Sequence, residues 1–133
     1  ERTVAIFKPE VARQTDLVPQ LLQQIEAAGF RILVQQTRTL LATEIETMYA
    51  HTLDALRNDL VTANTTAPCL VLVLAKVGAI SAWRALIGPT DPDVARTSAP
   101  QSWRALYGHS LLNNGFHGAR HPDAVRQELA ILF

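Results

Sequence analysis

Four stretches of the chain carry polar or charged residues where neither a core nor a turn asks for them: Lys8-Pro9-Glu10, Tyr49, Trp83-Arg84 with Gly88-Pro89-Thr90-Asp91-Pro92, and Asn114-Gly115-Phe116-His117-Gly118. The last is the most informative. A histidine between Phe116 and Gly118, preceded by Asn-Gly, predicts a strand edge where the missing Cβ of Gly118 lets a ligand come close. Its neutral imidazole can serve as a nucleophile or a base. Lys8 stands out for a different reason: of the 12 basic residues only Lys8 and Lys76 are lysine, and Lys8 ends an apolar run. His51, His109 and His121 show no metal-ligand spacing with each other or with Cys69, and they are assigned no role beyond a place for His121 beside the helix start at Pro122.

The elements that must position these residues follow from apolar spacing and end signals. Thr3 to Lys8 is apolar almost throughout, as a strand covered on both faces would be, and Pro9 stops it. Asp16 is expected to cap a helix carrying Leu17, Leu21, Leu22, Ile25 and Ala28 on one face, with Pro19 in its first turn and Gly29 as its stop. A second strand is predicted from Phe30 to about Leu40. Thr43-Glu44-Ile45-Glu46 has the form of a capping box opening a short helix through Tyr49, and Leu53, Leu56, Leu60 and Val61 predict another after it. Pro68 to Ala75 reads as the most buried strand and Ala79 to Ile87 as a helix closed by Gly88. Pro89 to Gln101, rich in Pro, Asp, Thr and Ser, reads as a long loop. Pro122 opens a final helix with Val125, Leu129 and Leu132. Met48 and the leucine-rich helix faces are expected to be core.

This order fits an α+β class with a ferredoxin-like βαββαβ antiparallel sheet and helices packed on one face of it. At 133 residues and 48% apolar content the chain is expected to form one domain, 1–133. Lys+Arg and Asp+Glu both count 12, so no whole-molecule field favours nucleic acid or an anionic membrane. The longest apolar run, Cys69 to Ala75, is far below the roughly 20 residues of a spanning helix. A single cysteine within an apolar strand suits a reducing, cytoplasmic compartment. The chain opens at Glu1 without Met, as an excerpt of a longer chain would, and nothing there resembles a signal peptide.

Fold alone names no activity. The local motifs do more when taken together. Asn114-x-x-His117-Gly118, Lys8-Pro9 after the opening Glu1-Arg2-Thr3, Gly29-Phe30 after the first helix, and Trp83-Arg84-x-Leu86-Ile87-Gly88-Pro89-Thr90-Asp91-Pro92 resemble the nucleoside diphosphate kinase family, in order and from Glu1 to Phe133. Taken singly, Arg84, Lys8, Tyr49, Arg104 and Glu128 each have an ordinary reading as surface charges, a half-buried aromatic or a helix carboxylate. Their joint order carries the resemblance.

The resemblance implies an ATP-using, ping-pong phosphotransferase: the γ-phosphate of a nucleoside triphosphate moves to His117 and then to a nucleoside diphosphate. Glu128 would accept a hydrogen bond from the far imidazole nitrogen. Arg84 and Thr90 would hold the β-phosphate and Arg104 would reach toward the γ-phosphate. Lys8 and Tyr49 would meet the transferring group and the ribose 3′-hydroxyl, with Asn114 sharing the sugar. Phosphoryl transfer asks mainly for positioning and charge neutralisation, which suits this set. A Mg²⁺ would arrive with the nucleotide, since no acidic cluster has the spacing of a metal cage.

The chain also departs from the family pattern. Ala119-Arg120-His121 stands where the family has Ser-Asp-Ser, and Leu56-Arg57 where it has aromatic residues, so the base would meet Leu56 and Leu111 as an aliphatic contact. The glycines expected after Lys-Pro are missing. The Pro92-to-Arg104 stretch is longer than in the common hexameric enzymes and is similar to divergent members associated with cilia and flagella. The chain ends at Phe133, short of the extension that braces subunits in the common enzymes. These departures imply an alternative: a weakly active or inactive structural or nucleotide-sensing module of a ciliary axonemal complex, with axonemal partners or a homo-oligomer as its assembly.

Overall fold

The computed structural model describes the whole chain, Glu1–Phe133. Four strands, β1 (Arg2–Phe7), β2 (Arg31–Arg38), β3 (Cys69–Ala75) and β4 (Phe116–Gly118), form one antiparallel sheet in the order β2-β3-β1-β4. Eight helices accompany it: α1 (Pro9–Ala12), α2 (Leu17–Ala27), α3 (Ala42–Met48), α4 (Asp54–Asn64), α5 (Ala79–Ile87), α6 (Pro92–Ser98), α7 (Trp103–Tyr107) and α8 (Pro122–Leu132). This is the ferredoxin-like α+β plan.

Helices cover both faces of the sheet, where one was expected. Side chains alternate along a strand. Ala5 and Phe7 of β1 therefore join Leu70, Leu72 and Leu74 of β3 on one side, against Leu21 and Ile25 of α2 and Trp83 and Ile87 of α5. Val4 and Ile6 join Val71 on the other, against Ile45 and Met48 of α3, Leu60 of α4 and Leu132 of α8. Cys69 lies fully buried in that second layer. No helix is long and apolar enough to cross a membrane.

Several boundaries differ from the sequence reading for local reasons. Pro89 to Gln101 is not all loop, because Asp91 caps α6 by accepting from the Asp93 N–H at 2.9 Å and Pro92 occupies the first turn. Asp-Pro opens a helix here rather than a bare turn. α3 starts at Ala42, and Glu44 rather than Glu46 is the acid that reaches back, its Oε1 accepting from the Leu41 N–H at 2.8 Å. Asp16 precedes α2 with helical backbone angles and caps nothing with its side chain. His121 is itself the cap of α8, its Nδ1 accepting from the Ala124 N–H at 3.1 Å.

An aromatic cluster lies beneath the edge strand. Phe116 packs edge-on to Phe7 with ring centroids 5.4 Å apart, and Trp103 lies 5.5 Å from Trp83 and 5.3 Å from Phe116. The Trp83 Nε1–H donates to the His117 carbonyl at 2.9 Å, tying this core to the residue that sequence singled out.

Candidate active site

β4 pairs only with β1, with His117 opposite Ile6 and Phe116 opposite Phe7. Paired residues of an antiparallel ladder share a face. Phe116 thus enters the aromatic core and His117 turns the other way, toward α3 and α8. The Asn114-Gly115 turn makes this possible: Gly115 has φ of 89°, its carbonyl accepts from the Lys8 N–H at 2.9 Å, and its N–H donates to Glu10 Oε1 at 3.1 Å.

Both imidazole nitrogens are occupied. Nε2 lies 2.8 Å from Glu128 Oε1 on α8, and Nδ1 lies 3.0 Å from the Tyr49 hydroxyl at the end of α3. A carboxylate only accepts, so Nε2 carries the hydrogen and Nδ1 the lone pair. Burial first, and then the Glu128 charge, push the Tyr49 hydroxyl well above its ordinary range, so it is a donor to that lone pair. Glu128 is buried and His117 nearly so.

His117 lines one of two adjoining hollows that share Thr90, Arg104, Gly118 and Arg120 as a common wall. The larger, about 550 Å³, is reached by Arg84 from the end of α5. The smaller, about 130 Å³, gathers Lys8, Tyr49, Leu56, Leu111, Asn114 and His117. The residues named from sequence for phosphate, sugar and base thus come to one place, with Glu128 behind the imidazole.

Arg104 is fixed more firmly than a surface arginine. Its Nη1 donates to the Gly88 carbonyl at 2.8 Å and its Nη2 to the Phe116 carbonyl at 2.7 Å, joining the end of α5 to β4. Its Nε is buried with no partner. Burial pulls its pKa down to about 10, with Tyr49 opposing and Arg84 adding to the fall. Lys8 is also buried, and desolvation, aided by Arg104 and countered by Glu10, brings its ammonium down to about 8. Asn114 Nδ2 donates to the Thr90 and Leu111 carbonyls at 3.0 and 3.2 Å, leaving its buried Oδ1 unpartnered. Both unpartnered atoms belong to residues that line the smaller hollow, whereas the Thr3 and Ser102 hydroxyls are buried without a partner away from it.

A nucleoside diphosphate kinase family model matches residues 1–133. The chain belongs to the nucleoside diphosphate kinase family. The nucleoside diphosphate kinase of Salinibacter ruber is 35% identical, over 100% of this chain and 92% of its own. The solved nucleoside diphosphate kinase of Aquifex aeolicus superposes with a TM-score of 0.91 at 29% identity, covering 100% of this chain and 94% of that one. That of Halobacterium salinarum in complex with CDP gives 0.88 at 28%, covering 100% and 87%. Thioredoxin domain-containing protein 6 of Xenopus laevis is 34% identical over 98% of this chain, and the chain spans 22% of that relative's length.

Within this family framework two residues take places that sequence reasoning did not give them. His51, assigned no role, and Thr52 line the smaller hollow, carried there by the turn after Tyr49. Their closeness to Tyr49 in the chain was the available signal. Gly118 borders both hollows, yet the space its missing Cβ leaves is filled by Trp83, whose Cδ1 lies 2.8 Å from where that atom would be. The absent methyl group serves core packing rather than ligand approach.

No aspartate or glutamate lines either hollow, and no three His, Cys, Asp or Glu side chains cluster as a metal site. With four cationic side chains and no carboxylate, the lining does not suit a resident hard divalent cation.

Proposed function

We propose that the domain is a nucleoside diphosphate kinase working through a phosphohistidine on His117. The observation that carries this reading is the imidazole held at 2.8 Å by Glu128 at the edge of a hollow lined by His117 together with Lys8, Arg104 and Arg120.

In the first half-reaction the Nδ1 lone pair attacks the γ-phosphorus, the bond from phosphorus to the β,γ-bridging oxygen breaks, and the nucleoside diphosphate leaves with that electron pair. In the second, a terminal oxygen of another nucleoside diphosphate attacks the same phosphorus and the N–P bond returns its pair to Nδ1. Tyr49 frees the lone pair by turning its O–H toward an arriving phosphate oxygen. Arg84, Arg104 and Lys8 neutralise the oxygens on which charge accumulates, and Glu128 stabilises the positive charge on the phosphorylated ring. The Asn114 Oδ1 acceptor suits a ribose hydroxyl, and Leu56 with Leu111 offers the base an apolar contact in place of a stacked ring. A magnesium ion would be held by the nucleotide's own phosphates and water and would spread the polyphosphate charge.

Exposure to γ-labelled ATP tests the reading. We expect acid-labile label on the wild type, its discharge by a nucleoside diphosphate, and none on His117→Ala. Equal labelling of that variant would overturn it.

A further inference from the structure

The cations around the two hollows outnumber those assigned to a nucleotide tail, and the extra one is Arg120. It follows buried Ala119, which packs with Ile80 and Val125, and its own side chain is exposed and lines both hollows. Its charge is felt by Tyr49, where it opposes the upward push on the hydroxyl.

No carboxylate lines the hollows, Glu10 and Glu128 acting on Lys8 and His117 from outside them. The chain is neutral overall, with 12 basic and 12 acidic residues, yet Lys8, Arg84, Arg104 and Arg120 border the hollows and no acid does. The ion pairs of the molecule engage Arg38, Arg57, Arg96 and Arg126, so the three arginines at the hollows have no carboxylate partner. Like charges gathered without a counter-ion destabilise the empty protein and are relieved when a polyanion enters. A divalent cation on the substrate does the opposite, since it lowers the charge the arginines would meet and finds no side-chain carboxylate lining the hollows. A guanidinium and a metal ion are alternative ways of neutralising phosphate oxygens during transfer.

We propose that Arg120 is a phosphate-contacting residue that replaces part of the charge otherwise supplied by a divalent cation, so that the site takes the metal-free nucleoside polyphosphate at least as readily as its magnesium complex. This rests on the reading that the hollows seat a polyphosphate tail.

Calorimetry with ADP and with an ATP analogue carrying an imido β,γ-bridge, each in EDTA and in excess magnesium, tests it without turnover. The wild type should bind the two forms within about threefold of each other. Arg120→Ala should weaken metal-free binding about tenfold or more and the magnesium complex by less than about threefold, the loss expected for one charge-assisted contact. Arg120→Asp should bind the magnesium form in clear preference. A wild type preferring the magnesium complex about tenfold, or an Arg120→Ala variant that loses both forms equally or neither, overturns the proposal. Labelling of His117, read separately, keeps the two readings apart: label without an Arg120 effect sinks only this inference, and an Arg120-dependent metal-free preference without label sinks only the kinase. No nucleotide binding at all would sink both.

Discussion

Glu128 Oε1 and His117 Nε2 stand 2.8 Å apart across the gap between α8 and β4, both shielded from solvent. The pairing fixes which nitrogen carries the hydrogen, and therefore which one can attack. Glu128→Gln keeps the volume and removes the charge that favours a positively charged, phosphorylated ring. Rapid-quench measurement of phosphohistidine formation should show a fall of about tenfold to a hundredfold, equivalent to about 1.4–2.7 kcal/mol of barrier. A rate within about twofold of wild type would remove Glu128 from the mechanism.

Lys8 illustrates a group kept against the interest of stability. Burial, with Arg104 adding to it, draws its ammonium from 10.5 down to about 8. Between those values the unfolded chain holds a proton that the folded chain has released, so this term makes stability rise as pH climbs from about 8 to about 10.5. Below about pH 8 both states are protonated and the full penalty, a few kcal/mol, is present. Lys8→Met should therefore stabilise the empty protein at pH 7 by about 1–3 kcal/mol, with the advantage shrinking above pH 8, while removing a phosphate contact. Denaturant midpoints at pH 7 and pH 10 check this, and a less stable variant at pH 7 would contradict it.

The two arginines assigned to phosphate should separate in the same assays. Arg84 is exposed and bonds to no other side chain or carbonyl, whereas the Arg104 fork satisfies the carbonyls of Gly88 and Phe116. Arg84→Ala should leave stability within about 0.5 kcal/mol and weaken nucleotide binding about tenfold. Arg104→Lys should cost about 1–3 kcal/mol of stability as well as affinity, because a single ammonium cannot reproduce a two-armed bridge. Thermal melts beside ADP titrations measure both; an Arg104→Lys variant as stable as wild type would show that the bridge is dispensable.

Much of this arrangement is legible in the chain before any coordinates. The unbroken apolar run before Lys8 marks a strand covered on both faces, and the final helix announces itself through Pro122 and the spacing of Val125, Leu129 and Leu132. What stays hidden is which residues meet across the chain. α6 is hard to see because Asp-Pro is both a turn signal and a helix start, and only the backbone of Asp93 decides between them. His51 has no spacing that marks it, since its place depends on how the turn after α3 lies against β4. The bond from Tyr49 to Nδ1 spans 68 positions, and no local pattern encodes it.

Gly118 shows how closely the core and the chemistry are joined, and it yields the most discriminating stability test. A Cβ there would sit 3.0 Å from Trp83 Nε1 and 3.2 Å from Ile87 Cδ1, against an indole that is fully buried and already bonded to the His117 carbonyl. The ring has nowhere to retreat, so Gly118→Ala should push β4 outward. The expected loss is about 1–3 kcal/mol of stability, with phosphohistidine formation slowed about tenfold by the displaced imidazole. Trp83→Phe shortens the obstructing side chain at the expense of the bond to His117. In that background the added methyl group should therefore cost about 1 kcal/mol less than in the wild type, a coupling that a double-mutant cycle resolves. Equal costs in the two backgrounds would mean that Trp83 is not what the missing Cβ accommodates.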